Sequence, residues 1–380
     1  MIVSTYMKTI GIVGGGQLGK MLGDAAHKLG SKVVILEASE TCPARSVADE
    51  FILGSFKDKQ KILELAEKVD VVTFEIESAN AEALEILVQH GKEVHPSPVT
   101  LKIIKDKYNQ KVFLKEQQIP VADFMIVDNA SDIEKAGETF GYPFLLKTRF
   151  DAYDGRGNFV VKNKEDIQTA LTKFGDAKLY AEKFFSFVKE LAVVSARGKD
   201  GMTVTFPVVE TIHKNNICHI VRSPAPVANE VSDATSELAH KVLDALSGVG
   251  VFAIEMFLSE NGEVVVNEIA PRVHNSGHLT IEAFQMSQFE AHVRAITGME
   301  LMTPKEEAKA SVMVNILGER DGEALSEGVS EAEALGGVHV HIYGKLETRK
   351  ERKMGHITAT ADTLEEAELK ALTTRTKINI

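Results

Sequence analysis

Residues 252–278 read FAIEMFLSENGEVVVNEIAPRVHNSGH. Two strand-like runs, 252–258 and 263–269, flank Asn261-Gly262, a dipeptide that favours a two-residue hairpin loop because both positions tolerate positive φ. With that loop Glu260 pairs with Glu263, and counting outward sets Glu255 opposite Glu268. Directly opposed side chains have Cβ atoms about 5 Å apart. Two carboxylates there repel by about 3 kcal/mol at an effective dielectric near 20. Apolar neighbours, Phe252-Ala253-Ile254 and Val264-Val265-Val266, raise that cost. A cation between the acids would remove it. Oxygen donors on a rigid hairpin suit Mg²⁺, which keeps water and phosphate ligands of its own. Two exposed glutamates, or one protonated glutamate, are the other readings. Asn267 falls on the opposite face of an ideal strand and shares the site only if the strand twists or bulges there.

The hairpin runs into a loop dense in donors: Arg272, His274, Asn275, Ser276 and His278. Such groups at a strand end suit a substrate site. No third soft ligand is spaced with the histidines for zinc.

Strand and helix patterns alternate over the first 95 residues: apolar runs at 10–13, 33–36 and 71–76, and helical spacing over 18–29 and 62–69. This predicts a doubly wound parallel sheet. Gly14-Gly15-Gly16-Gln17-Leu18-Gly19 fits G-x-G-x-x-G, with Glu37 ending the next strand. A dinucleotide, another phosphate ligand, or tight packing alone are all compatible with that loop.

A helix is expected over 101–118, stopping before Pro120, and another over 232–246. Strands are expected at 144–148, 159–161, 179–182, 191–195 and 204–209, an α+β arrangement. Lys147 precedes the glycine-flanked segment 151–158, whose Arg156 offers a planar fork to phosphate or carboxylate. A surface turn is the other reading of that segment. Residues 345–356 carry five Lys or Arg, a local basic patch able to seat a phosphate, or a solvated loop.

The 380 residues carry a net charge of −12, so no basic face points to nucleic acid. No apolar run approaches the roughly 20 residues of a membrane span, and no signal peptide is read at the N-terminus. Two cysteines, Cys42 and Cys218, cannot staple a chain of this size, which favours a reducing cytoplasm.

Lys147, the loop 153–158, Glu182-Lys183, Glu255 and Asn267-Glu268 resemble, in that order, the ATP-grasp fold. GGGQLG, YDGRGN, the HNSGH loop and YGK with RKMGH resemble the 5-(carboxyamino)imidazole ribonucleotide synthase family, over nearly the whole chain. The fold class implied is α/β, or α+β overall. It has a Rossmann-like domain over 1–100, an ATP-grasp domain over 101–295 with a lid near 115–185, and a small C-terminal domain over 296–380.

The resemblance implies that ATP contacts Lys107, Lys147, Tyr153, Asp154, Gly155, Arg156, Gly157, Asn158, Glu182, Lys183, Phe184, Phe185, Glu190, His213, Asn267 and Glu268. Glu255 and Glu268 would hold Mg²⁺, two ions being expected. Aminoimidazole ribonucleotide would meet Gln17, Leu18, Glu75, His274, Asn275, Ser276, Lys345 and Arg352, the last two on its phosphate. Tyr153, Asp154, Arg156, Arg272 and His274 would serve the chemistry. Bicarbonate is the implied co-substrate, a separate mutase the implied next enzyme, and a homodimer the implied assembly. Other ATP-grasp ligases or transformylases, an oxidoreductase, and a non-catalytic ATP sensor are the competing readings. Two positions depart from the family pattern: Val273, where proline is usual, and Lys107, where arginine is common.

Overall fold

The computed structural model describes residues 7–151, 157–334 and 336–380. Its N-terminal sheet is wholly parallel, in the order Glu50–Leu53, Lys32–Glu37, Thr9–Val13, Val71–Phe74, Glu93–Val94. Helices cover both faces, so its central strands read as continuous apolar runs. Ile10, Ile12, Val33, Ile35 and Val71 are all buried. The helix Gln17–Lys28 ends at Gly30, whose φ of 80° closes it in the left-handed region.

A second sheet is antiparallel, in the order Phe124–Val127, Leu179–Lys183, Phe144–Thr148, Asn158–Val161. Helices Ala130–Phe140 and Asp166–Phe174 share its core through Ile133, Ala136, Ile167 and Ala170.

The largest sheet is antiparallel and carries the hairpin. Its path runs Val264–Ala270, Gly250–Leu258, Lys189–Arg197, Val209–Lys214, Ile217–Ser223, Ala310–Leu317, Lys353–Ala361, Val338–Ile342. Three strands beyond residue 300 therefore continue this sheet, and the short pair Gly322–Glu323 and Glu347–Thr348 forms a separate ribbon. Gly250–Leu258 shows how it is packed. Phe252, Ile254 and Met256 join the core beneath helix Asn229–Leu246, whereas Val251 and Ala253 join the one beneath helix Gln288–Thr297. Strand alternation then assigns Glu255 to the face of Val251 and Ala253.

Three local expectations change. The stretch 101–118 is two helices, Pro98–Lys105 and Lys107–Glu116. Asp106 separates them because its carboxylate accepts from the Tyr108 and Asn109 amides, a cap that restarts the helix. The expected strand 204–209 splits into Thr203–Thr205 and Val209–Lys214, since Pro207 between them has no amide to give a ladder. The hairpin loop is one residue longer than expected: the Ser259 amide donates to the Glu263 carbonyl, leaving Glu260, Asn261 and Gly262 in the loop.

That longer loop shifts the register by one, and a bulge shifts it back. Leu258 pairs with Val264 and Met256 with Val266, yet Glu255 pairs with Glu268. Asn267 is the extra residue. The two departures cancel, and the carboxylates oppose each other as expected.

Candidate active site

The bulge does more than restore register. Val266 lies on the face of Met256 and Glu268 on the face of Glu255. Asn267, next to both, alternates from Val266 onto the Glu255 face. The hairpin thus presents Glu255, Asn267 and Glu268 together. The Asn267 Oδ1 is buried and has no hydrogen-bond partner, an acceptor that a cation would satisfy.

The electrostatics agree. Burial, then the charge of Glu268, pushes the Glu255 carboxyl up to about 7. Burial acts the same way on Glu268, but the Lys107 ammonium, 2.9 Å away, holds it below the usual range. His274 Nε2 lies 3.6 Å from Glu255 Oε1. His213 Nδ1 lies 3.1 Å from Glu190 Oε2. Burial opposes protonation of His213, but Glu190 and then Glu255 outweigh it and raise its pKa. Among the described residues no group of three or more His, Cys, Asp or Glu is arranged to hold a metal. A divalent ion here would draw on Glu255, Glu268, the Asn267 amide oxygen and oxygens from elsewhere, which is a magnesium-like donor set.

Beside the hairpin stands a second charged group. Glu182 is buried between Lys147 and Lys111, each 3.0 Å away. Burial raises its pKa, but Lys111 and then Lys147 bring it down to about 2. Both lysines also act on Glu268. Further along the chain Lys183 and Phe184 are exposed, and Lys183 Nζ lies 3.8 Å from Asp123. Phe185 and Phe187 both stack on Phe257, at 6.3 Å and 4.4 Å between ring centroids. Gly157 is buried, and its carbonyl accepts from Thr148. Asn158 pairs with Lys147 across the sheet. Tyr153, Asp154, Gly155 and Arg156 lie outside the described residues.

The glycine-rich loop differs from the phosphate cradle that its pattern allowed. Gly15 N–H donates to Glu37 Oε2 at 2.9 Å, Gly19 N–H to Glu75 Oε2 at 2.7 Å, and Gly16 N–H to Glu75 Oε1. Carboxylates of the protein hold the amides that an incoming phosphate would need. Glu37 is a loop lock here, which removes the basis for a dinucleotide reading. Burial raises the Glu75 pKa in spite of the Gly16 and Gly19 amides. The charge of Glu75 reaches both Arg272 and Lys345. Gln17 is half-buried beside the loop, and Leu18 is in the core.

The loop after the hairpin is tightly held. Arg272 pairs with Glu77 at 2.8 Å. Val273, in the position where proline is usual, is fully buried. His274 Nδ1 meets Ser276 Oγ at 3.0 Å, and burial, then Arg272, holds its pKa well below the usual histidine value. Asn275 and Asn315 exchange amide hydrogen bonds at 2.6 and 3.1 Å. Gln288 brackets the loop from below, accepting from the His274 amide and donating to its carbonyl.

The basic segment closes the far side. Lys345 donates to the Lys353 carbonyl at 2.6 Å, and its ammonium lies 5.6 Å from the centre of the Tyr343 ring. Burial, then Arg352, lowers its pKa to about 8. Arg352 donates to the Glu347 carbonyl, and burial, then Arg349, lowers its pKa too. Cations crowded in this way favour an anion.

Comparison with known proteins places the chain in a family. Family models match three consecutive stretches: the ribonucleotide synthetase preATP-grasp domain at residues 7–105, the ATP-grasp domain at 112–289, and the phosphoribosylaminoimidazole carboxylase C-terminal domain at 311–370. An N5-carboxyaminoimidazole ribonucleotide synthase of Staphylococcus aureus is 38% identical over 95% of this chain and 94% of its own length. The chain belongs to the N5-carboxyaminoimidazole ribonucleotide synthase family. A phosphoribosylaminoimidazole carboxylase of Ogataea methanolica is 46% identical over 95% of this chain, which spans 68% of that protein. Two further fungal relatives are spanned to 65–66%. The N5-carboxyaminoimidazole ribonucleotide synthetase structure from Thermotoga maritima matches with a TM-score of 0.89 at 42% identity, covering 98% of this chain and 99% of that one. The Aspergillus clavatus synthase, solved with ADP and the aminoimidazole ribonucleotide, matches with a TM-score of 0.89 at 36% identity, over 97% and 98%.

Within this family framework the expected residues fall into three groups. Lys107, Glu190, His213, Glu255, Asn267, Glu268 and His274 gather at the hairpin. Lys147 and Glu182 form the buried ion cluster, and Glu75, Arg272, Lys345 and Arg352 are linked through their charges. Two neighbours escaped the sequence reading. Lys111 follows Lys107 by one helical turn, a same-face spacing that could have revealed it. Phe187 shares its ring partner with Phe185 but carries no spacing signal.

Proposed function

We propose that this protein carboxylates 5-aminoimidazole ribonucleotide in an ATP- and bicarbonate-dependent reaction of purine biosynthesis, releasing ADP and phosphate. The observation that carries the reading is the hairpin. Two opposed carboxylates and an unsatisfied amide oxygen sit beside Lys107.

In this reading a bicarbonate oxygen attacks the γ-phosphorus of ATP and ADP leaves, giving carboxyphosphate. The ribonucleotide amine then forms the C–N bond as phosphate departs and the amine loses a proton. Phosphoryl transfer asks the protein for positioning and charge cancellation. Lys107, Lys147 and Arg156 would meet ATP phosphates. Glu255, Glu268 and Asn267 would hold Mg²⁺, which supplies charge neutralisation to the phosphates when bound. Glu182 to Phe185 would face the adenine, and Glu190 with His213 the ribose side. Tyr153, Asp154 and the glycines around Arg156 would cover the intermediate against water.

Lys345 and Arg352 would take the ribonucleotide phosphate. Gln17, Leu18, Glu75, Asn275 and Ser276 would shape its pocket. Arg272 and the neutral His274 would orient bicarbonate and amine. The domains proposed are 1–100, 101–295 and 296–380. The reaction would run in the cytoplasm in a homodimer, and a separate mutase would take the product. No helix among the described residues is long and apolar enough to cross a membrane.

ADP release under Mg-ATP tests the reading. Release should rise strongly with aminoimidazole ribonucleotide and fall to background without bicarbonate. Folded protein that binds ATP but ignores the ribonucleotide would overturn it.

A further inference from the structure

Lys111 is a buried lysine to which the scheme above gives no contact with a ligand. It lies one turn beyond Lys107 on helix Lys107–Glu116 and is 2% exposed. Its ammonium sits 3.0 Å from Glu182 Oε2 and donates to the Val266 carbonyl at 3.2 Å. The other oxygen of Glu182 takes Lys147 at 3.0 Å. Three elements meet at this point: the helix, the strand Leu179–Lys183 of the four-stranded sheet, and the strand Val264–Ala270 next to the bulge.

Stability alone is a weak reason for such a cluster, because buried ion pairs rarely outdo apolar replacements of the same volume. Its charge count gives a better one. Two lysines and one carboxylate leave a net charge of +1. Without Lys111 the remaining pair, Lys147 and Glu182, is neutral. The Lys147 ammonium would then be drawn wholly onto Glu182 and offer little to another anion. Lys111 cannot swing away, because the Val266 carbonyl anchors it.

We propose that Lys111 is a positioning residue for nucleotide binding: it shares the charge of Glu182, so that Lys147 keeps its positive field for a phosphate oxygen. This rests on the reading that Lys147 faces the phosphates of ATP. The test is titration calorimetry of the full chain with ADP and, separately, with adenosine, which lacks phosphates. Neither titration needs amine or bicarbonate. Failure of the carboxylation reading therefore leaves the test intact, while wild-type protein that ignores ADP would remove the nucleotide reading itself.

Lys111→Met should weaken ADP roughly tenfold, the loss of one modest charged contact, and leave adenosine within about twofold. The double variant Lys111→Met/Glu182→Gln removes one charge of each sign and leaves the net +1 on Lys147, so the ratio of ADP to adenosine affinity should return to the wild-type value, any change at the adenine cancelling because both ligands carry it. The double variant also serves if the single one does not fold. Wild-type ADP affinity in Lys111→Met, equal losses for ADP and adenosine, or a folded double variant that binds adenosine normally but ADP weakly would each overturn the proposal.

Discussion

Two pairs of glutamates stand at two turns of this chain, and they have opposite fates. Glu37 and Glu75 face the glycine-rich loop, where three backbone amides satisfy them. Glu255 and Glu268 face each other across the hairpin, with one lysine paired to Glu268 and an orphan amide oxygen beside them. The first pair already has its donors and locks a turn. The second is short of positive charge and is fitted to receive it. An acidic pair is therefore read from the donors that confront it, not from its motif. By motif both the glycine loop and the hairpin could take a ligand. By donors only the hairpin is left open to one.

The sharpest way to break this contrast is Glu268→Gln. If the hairpin pair holds the cation, turnover should fall by at least roughly a hundredfold, the scale of losing one preorganised electrostatic group. Its melting temperature should stay close to that of the wild type. ADP release and a thermal melt decide it, and normal turnover would remove the hairpin from the chemistry.

The glycine loop gives the next largest effect, on stability. A Cβ on Gly15 would lie 2.7 Å from the Glu37 Cβ and 2.8 Å from the Cys42 sulfur. Gly15→Ala should therefore destabilise by about 1–3 kcal/mol, as overpacking does, measured by denaturant unfolding. An unchanged midpoint would show that the lock is loose enough for the loop to accept a ligand after all.

The smallest effect is a pH dependence. The folded pKa of Glu255, about 7, lies above the ordinary glutamate value of 4.5. The folded state binds this proton more tightly than the unfolded chain does. The resulting stability is fully present below about pH 4.5 and is lost as pH rises through 7. Metal-free wild type should therefore lose more melting temperature between pH 5 and 8 than Glu255→Gln, and Mg²⁺ should recover the difference at pH 8. Parallel curves for the two proteins would mean that Glu255 is ordinarily ionised.

Much of this was legible before any coordinates. The alternating N-terminal elements and the hairpin strands follow from periods of two and 3.6, whereas the facing carboxylates match the expectation only because the longer loop and the bulge cancel. The bulge was legible in principle. Val264, Val266 and Ile269 pack toward one core, and the step of three from 266 to 269 requires an extra residue. The helix restart at Asp106 was harder, because an aspartate within an amphipathic pattern reads as an exposed position until its partners are known. Those partners include Arg149, which arrives from 43 residues away. The sealing of the glycine loop depends on Glu75, 56 residues beyond Gly19. Local pattern carries no information about a contact of that range.

The continuation of the large sheet past residue 300 sets a rule for dividing this protein. Ala310–Leu317 is hydrogen-bonded to Ile217–Ser223 on one side and to Lys353–Ala361 on the other. A chain cut near residue 300 would lose more than the basic patch. It would strip the cover from Ile217–Ser223 and leave a raw β-edge, the kind of surface that recruits strands from other molecules. In this architecture the segment past residue 300 carries both the basic patch and the strand that keeps the sheet edge covered.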